Sequence, residues 1–368
     1  MRGKINAGLW ALLLGGVALS GEDPEDPEDE VNVGAGEWSV SAGLGYKENV
    51  LFSEILPVDS AFNYLSVEGV MQKDFIESGA EWVSIFLLDN RAYWQVDDLP
   101  DETFGMFLSE FGKHMTVDGR LAASFSYVYL NQAFDASFDI QDENRIVLTA
   151  QEPGLSLEWA SFLWQFKYTA SVGASRMYFA DPKDDYETLD WEIEFDYLIS
   201  EGGRLFLSPN GFVRDYTDRV ARDLDGFRLE ETILGTDQRG IEGGFEQSFR
   251  FLGLDTELEL EVDFSARRDR HSGYYDRDRL KYGLDWSLAG EKWDFGLDVS
   301  YADSEYLTQM SEDGELRSSK EWVWGFEMTR DIGKKWNVFL RADADRSNSN
   351  ETFFSYESNS VLLGMRYR

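Results

Sequence analysis

Cysteine is absent from the sequence, histidine and proline are rare, and basic residues are about half as numerous as acidic ones. The 368 residues include no Cys, two His, seven Pro, 34 Lys and Arg, and 70 Asp and Glu. The absence of cysteine excludes a disulfide scaffold, a cysteine-ligated zinc site and thiol catalysis. The formal net charge of −36 excludes a basic surface of the kind that binds phosphates, so no nucleic-acid partner is expected.

The sequence is also poor in apolar character on average, although it is rich in aromatic residues. The mean hydropathy is −0.40, while 12 Trp, 17 Tyr and 26 Phe make up 15% of the chain. This combination excludes a helical membrane protein. It fits strands with one apolar and one polar face, because successive strand residues point to opposite sides.

The amino terminus has the features of a secretory signal peptide. Residues 7–19 form an apolar run after Arg2 and Lys4, and Ala18 and Ser20 are small residues at the −3 and −1 positions of a cleavage site before Gly21. We therefore predict a signal peptide over residues 1–20 and transport through the inner membrane. Residues 21–36 (GEDPEDPEDEVNVGAG) are acidic and contain proline, which predicts a disordered periplasmic tail.

Residues 279–301 show the pattern that dominates the rest of the chain. Every second residue from Leu280 to Leu288 is large and apolar, and the same alternation runs from Trp293 to Tyr301 after a segment containing Gly290. The intervening residues are small or charged. This predicts two amphipathic strands joined by a tight turn. In a soluble sandwich the apolar row would be core, whereas in an outer-membrane barrel it would face lipid and the polar row would face a wet lumen.

The connections between strands favour the barrel. About sixteen strands, within a range of 14–18, are predicted over residues 37–368. Short turns, as near Gly253 and Gly290, alternate with long polar loops, as near Leu224 and Ser272. Short periplasmic turns and long extracellular loops are typical of outer-membrane barrels. We therefore predict an all-β fold, a transmembrane antiparallel up-and-down β-barrel in the cell outer membrane with both termini in the periplasm.

The prolines and the aromatic residues of the predicted strands give further expectations. Pro153 and Pro209 fall inside predicted strands and should mark bulges or strand boundaries, because proline lacks a ladder donor. Aromatic residues near strand ends are expected to form girdles at the membrane interfaces. The girdle residues are Trp38, Trp164, Trp286, Trp293 and Trp336 near the periplasmic ends, and Tyr301 near an external end.

The polar faces contain carboxylates at alternate positions, which cannot be packed dry without cationic partners. We expect the pore-lining residues to be Glu192, Glu194, Asp196, Glu257, Glu259, Glu261, Asp285, Asp298, Arg250 and Arg341. The basic residues on inward positions, which are available to pair with some of these carboxylates, are Arg214, Arg250, Arg267, Lys281 and Arg341. Two interpretations remain open: a hydrated pore with an acidic lumen, or a network of ion pairs that plugs the barrel.

The final stretch, residues 355–368 (SYESNSVLLGMRYR), resembles the last strand of Gram-negative outer-membrane β-barrel proteins. Its outward row is Val361, Leu363, Met365 and Tyr367, preceded by Asp343, Asp345, Arg346 and Ser347. The stretch is similar to the barrel ends of surface lipoprotein assembly modifiers and of β-barrel proteins encoded at exopolysaccharide loci. It departs from them in ending on Arg368 rather than an aromatic residue, so either a terminal aromatic residue follows or Tyr367 alone serves as the assembly signal. The helical-repeat domain of the assembly modifiers is also missing.

The sequence has no motif that points to catalysis. His114 lies near a predicted periplasmic strand end. His271 lies in a predicted loop that is so rich in charged residues that carboxylates beside this histidine are expected by chance. We therefore predict no enzyme activity, no cofactor and no metal site.

The predicted function is a porin-like, cation-preferring passive channel. The alternatives are an export or assembly component for extracellular polysaccharide or surface protein, and a structural or receptor barrel with a closed lumen. The expected partners are outer-membrane lipid and lipopolysaccharide, the barrel assembly machinery, and small solutes or ions.

Overall fold

The computed structural model describes residues 34–55, 57–75, 78–94, 100–135, 145–180, 184–200, 202–311 and 313–368. The expected signal peptide, residues 1–20, and residues 21–33 of the expected acidic tail lie outside these ranges. Residues 34–36, which we assigned to the tail, instead begin the first strand. Across the described ranges, no helix is both long and apolar enough to cross a bilayer.

Sixteen antiparallel strands form one closed barrel, in which each strand pairs with its sequence neighbours and the last pairs with the first. The predicted fold and strand number are therefore confirmed. The strands are β1 (Gly34–Lys47), β2 (Ser60–Phe75), β3 (Ala80–Tyr93), β4 (Glu102–His114), β5 (Gly119–Asp135), β6 (Arg145–Leu163), β7 (Phe166–Phe179), β8 (Tyr186–Ser200), β9 (Gly203–Arg222), β10 (Arg228–Phe251), β11 (Leu254–Asp269), β12 (Arg277–Ala289), β13 (Trp293–Met310), β14 (Leu316–Asp331), β15 (Trp336–Ser349) and β16 (Tyr356–Tyr367).

The connections alternate in length as the sequence predicts. At one end of the barrel, the short-turn end, strands are joined by two to four residues, as at 164–165 and 332–335. At the other end, the long-loop end, five to twelve residues intervene, as at 223–227 and 48–59. Gly253 and Gly333 have φ angles of 83° and 80° in short turns, a conformation that glycine adopts without strain. Both ends of the described barrel, the start of β1 and the end of β16, lie at the short-turn end.

The expectation of bulges or strand boundaries at Pro153 and Pro209 is wrong. Pro153 lies within β6 opposite Tyr127, and Pro209 lies within β9 opposite Ile241. The ladder between β6 and β7 is interrupted at Pro153, and the ladder between β8 and β9 is interrupted at Pro209. Each ladder resumes in the same register. Proline removes one backbone donor and therefore weakens only one side of a strand. The long ladders on both sides hold the register through the gap.

The outer face of the barrel carries the apolar rows. On β8, Leu189 is 56% exposed and Phe195 49% exposed, while Asp196 between such positions is only 2% exposed. The same alternation places Leu260 of β11 on the outside at 43% exposure. A continuous band of exposed apolar side chains around a closed barrel is the surface that lipid covers in outer-membrane proteins.

One sector of the inner face is packed dry. Phe62, Tyr64, Phe339 and Leu362 form a buried cluster inside the barrel, and Tyr93 packs against it. The Phe339 ring lies over Gly364, where an added Cβ would be 2.4 Å from the ring. We call this sector, on β15, β16, β1, β2 and β3, the packed wall.

Candidate functional site

The inner face on β10 to β13 presents a row of carboxylates. Glu259 of β11 pairs in register with Glu246 of β10 on one side and with Asp285 of β12 on the other. Asp285 in turn lies directly opposite Asp298 of β13. We call these four residues the acidic belt. Like charges directly opposite each other on neighbouring strands are destabilising unless water or counter-ions separate them.

The acidic belt is largely free of ion pairs. Glu246 accepts a hydrogen bond from Arg204 Nε at 2.7 Å. Within the described part of the chain, Glu259, Asp285 and Asp298 form no ion pair with a basic side chain. All three remain partly exposed to the lumen. Three neighbouring carboxylates without cationic partners require a hydrated environment, because burying one unpaired charge costs about 3–5 kcal/mol.

The second predicted acidic row, on β8, is partly neutralised. Asp196 is 2.9 Å from Arg204 and 3.6 Å from Lys167, and Glu194 is 3.7 Å from Arg204. Glu192 is exposed and accepts a hydrogen bond from Ser208 Oγ at 2.6 Å. Arg204 was not among the basic residues predicted as partners. Its position just after the turn that follows β8 would have revealed it, because a hairpin places such residues beside each other.

The remaining predicted pore-lining residues have different surroundings. Glu257 is exposed on the same inward row of β11 as Glu259, and buried Glu261 is 3.6 Å from Lys281. Arg250 lies at the rim, next to the turn at 252–253, where it pairs with Asp255 at 2.9 Å and both side chains are exposed. Arg341 donates two hydrogen bonds to one oxygen of Glu327, at 3.0 and 2.7 Å.

Ion pairs also connect the strands of the packed wall to their neighbours. Arg366 of β16 contacts Glu327 of β14 at 3.3 Å and Glu68 of β2 at 3.7 Å. Near the long-loop end, Lys47 of β1 is 3.0 Å from Glu102 of β4. The packed wall is therefore buried and ion-paired, whereas three carboxylates of the acidic belt have no ion pair within the described ranges.

Five of the six predicted girdle residues lie toward the short-turn end, and Tyr301 lies midway along β13. At the short-turn end, the rings of Trp38 and Trp336 lie 5.6 and 5.0 Å from that of Tyr367, across the strands that close the barrel. Trp293 lies 4.9 Å below the guanidinium of Arg330, Trp286 is half-buried near the end of β12, and Trp164 lies in the turn after β6 with 94% exposure. Tyr301 is 4.6 Å from the ring of Trp322.

The two histidines lie at opposite ends of the barrel. His114 is the last residue of β4 at the short-turn end. His271 lies in the loop 270–276, and its Nε2 is 2.7 Å from the carbonyl oxygen of Ile233. Among the residues that the structure describes, no group of three or more His, Asp or Glu side chains is placed to hold a metal ion.

The matches to this chain are solved structures of low sequence identity. No family model matches the chain, and no match to a curated protein is found. OccAB3 from Acinetobacter baumannii is 10% identical, with a TM-score of 0.45 over 91% of this chain and 99% of that one. OccK2 from Pseudomonas aeruginosa is 10% identical, with a TM-score of 0.43 over 90% of this chain and 97% of that one. CdiB from Acinetobacter baumannii is 9% identical, with a TM-score of 0.49 over 90% of this chain and 60% of that one.

These likenesses concern the fold alone, and the fold assignment depends on the barrel itself. The closed sheet has sixteen strands, an apolar outer band, and connections that are short at one end and long at the other. By this architecture the chain has the fold of an outer-membrane β-barrel protein.

Proposed function

We propose that the protein is a passive, water-filled channel of the outer membrane that prefers cations. Barrels of about sixteen strands are wide enough for an aqueous channel unless something fills the lumen. The packed wall fills only one sector. The route for ions would follow the opposite wall, on β8 to β13.

The acidic belt is the observation that carries this proposal. Glu259, Asp285 and Asp298 lie in one register row without cationic partners in the described chain. Such a row attracts cations and repels anions, and low-dielectric walls strengthen its field. The row on β8 adds less, because Arg204 and Lys167 offset its charge.

A second candidate is a structural or receptor barrel whose lumen is closed. The packed wall favours it, because Phe62, Tyr64, Phe339 and Leu362 project inward and are buried. In this case the acidic belt would hold bound water and counter-ions without a continuous path. The export or assembly role remains a prediction from the sequence resemblance only.

Conductance in planar bilayers tests the channel proposal and separates the two candidates. We expect single channels whose reversal potential across a salt gradient reports cation preference. The triple variant Glu259→Gln, Asp285→Asn, Asp298→Asn should lose most of this preference. The matched control Glu291→Gln, Asp313→Asn, Asp331→Asn removes the same charges from exposed positions in turns, loops and strand ends and should keep it.

The preference should also depend on salt, because the screening length falls from ~10 Å at 0.1 M to ~3 Å at 1 M ionic strength. Anion preference in the unaltered protein, or an unchanged reversal potential in the belt variant, would contradict the role of the belt. Absence of conductance from correctly folded protein would support the closed barrel instead.

A further inference from the structure

Three arginines lie together on the inner face near the long-loop end. Arg267 is close to the end of β11, and Arg277, the first residue of β12, lies directly opposite it in register. Arg214 of β9 is on the same inner face, separated from β11 by a single strand, β10. We call these three residues the arginine cluster. Arg214 and Arg267 are two of the inward basic residues that the sequence makes available to pair with some lumen carboxylates.

The structure does not pair them. Within the described chain, Arg214, Arg267 and Arg277 form no ion pair, in contrast to Lys281 and Arg341 on the same face. Arg214 is only 3% exposed, yet its Nε and one terminal nitrogen have no hydrogen-bond partner. The Nε atoms of Arg267 and Arg277 are likewise buried without a partner. Buried guanidinium nitrogens are normally satisfied, because an unmade hydrogen bond there is costly.

The nearby carboxylates are engaged elsewhere. Asp278 points to the outer face, where it is 2.7 Å from Arg268. Asp269 accepts hydrogen bonds from the backbone N–H of His271 and from the hydroxyl of Ser272, which hold the loop 270–276. The arginines lie near aromatic rings instead, with the guanidinium of Arg214 3.9 Å from the ring centre of Tyr186. A ring face attracts a cation but does not supply its missing acceptors.

Two guanidinium groups directly opposite each other repel, and a third nearby adds to the repulsion. An oxyanion would relieve both problems, because it supplies negative charge and at least two acceptor oxygens whose spacing matches the forked donors of a guanidinium group. We propose that the arginine cluster is a binding site for a small oxyanion, either a carboxylate or a phosphate group, at the long-loop end of the lumen.

This site is separate from the acidic belt. Arg267 and Glu259 are eight residues apart on β11, which corresponds to about 26 Å along a strand. The proposal therefore does not depend on ion conduction, and binding can be tested on the folded protein in detergent whether or not the barrel conducts.

The test measures anion binding by calorimetry and by the thermal unfolding temperature, at low ionic strength, with inorganic phosphate and with succinate as separate probes. Sodium chloride at equal ionic strength is the reference. We expect at least one probe to bind at least tenfold more tightly than chloride and to raise the unfolding temperature. A response to phosphate alone or to succinate alone would identify the preferred group, and either response supports the site.

The double variant Arg267→Gln, Arg277→Gln should bind the probe at least tenfold more weakly. The control Arg176→Gln, Arg250→Gln removes the same charge from arginines outside the cluster that pair with Glu187 and Asp255, and should bind within twofold of the unaltered protein. Heat-modifiable gel mobility checks that each variant is folded. If the glutamine variant does not fold, Arg267→Lys, Arg277→Lys keeps the charge but removes the forked donors, and should still weaken binding.

Two results would overturn the proposal. One is that neither phosphate nor succinate binds the unaltered protein more tightly than chloride. The other is that the control variant loses as much affinity as the cluster variant, since the effect would then follow net charge and not the site.

Discussion

Lys47 of β1 and Glu102 of β4 form an ion pair with a distance of 3.0 Å, although β2 and β3 lie between their strands. The two side chains meet over the concave inner face, where Tyr93 also donates a hydrogen bond to Glu102 at 2.5 Å and Arg91 is 3.7 Å away. Little water reaches the pair, because the side chain of Lys47 is only 6% exposed. This contact links four consecutive strands near the long-loop end.

The first prediction concerns the stability provided by this cluster. Glu102→Gln should lower the free energy of unfolding by about 3–5 kcal/mol, because it leaves Lys47 and Arg91 buried without an anionic partner. Glu257→Gln, the same change at an exposed inner position without an ion pair in the described chain, should change it by less than about 0.5 kcal/mol. Urea unfolding in lipid vesicles measures the free energy of unfolding of both variants. If Glu102→Gln lowers it as little as Glu257→Gln does, water reaches the inner face near Lys47.

The second prediction concerns the two faces of β11. Leu260→Arg should destabilise the barrel by about 2–4 kcal/mol if Leu260 lies near the middle of the bilayer. Glu259→Gln, one residue away on the inner face, should be neutral or slightly stabilising, because it removes repulsion from Glu246 and Asp285. The same unfolding experiment applies. Equal costs at the two positions would mean that the assigned faces are wrong, since a shift of one residue exchanges them.

The third prediction concerns orientation in the membrane. Short peptide tags inserted next to Leu224 or Ser272, in loops at the long-loop end, should be labelled by antibody on intact cells. Tags next to Gly290 or Gly333, in turns at the short-turn end, should be labelled only after the outer membrane is opened. The reason is that outer-membrane barrels place their long loops outside the cell. The opposite labelling pattern would invert the orientation.

The sequence predicted the features that depend on local periodicity. The side chains of Leu260 and Glu259 lie on the expected faces because strand residues alternate with a period of two. The number of strands and the lengths of their connections follow from the same alternation and from turn glycines such as Gly253. These signals act within one hairpin and need no knowledge of the closed sheet.

The features that the sequence did not predict depend on the curvature and closure of the barrel. No local pattern shows that Lys47 would reach Glu102 across two strands, or that Phe62 and Phe339 would pack together from strands far apart in the chain. Arg267, one of the basic residues available to pair with carboxylates, has no ion pair in the described chain for a related reason. Its neighbour in register is Arg277, because the loop 270–276 sets the hairpin pairing.

The distance between the arginine cluster and the acidic belt has a consequence for electrical behaviour. Fixed positive charge near one mouth and fixed negative charge deeper inside form two oppositely charged zones in series along the same path. In a conducting pore, one voltage polarity drives mobile ions of both signs into the junction between the zones, and the other polarity depletes them. The barrel would then rectify current as a diode does, and occupation of the cluster by an anion would reduce that asymmetry.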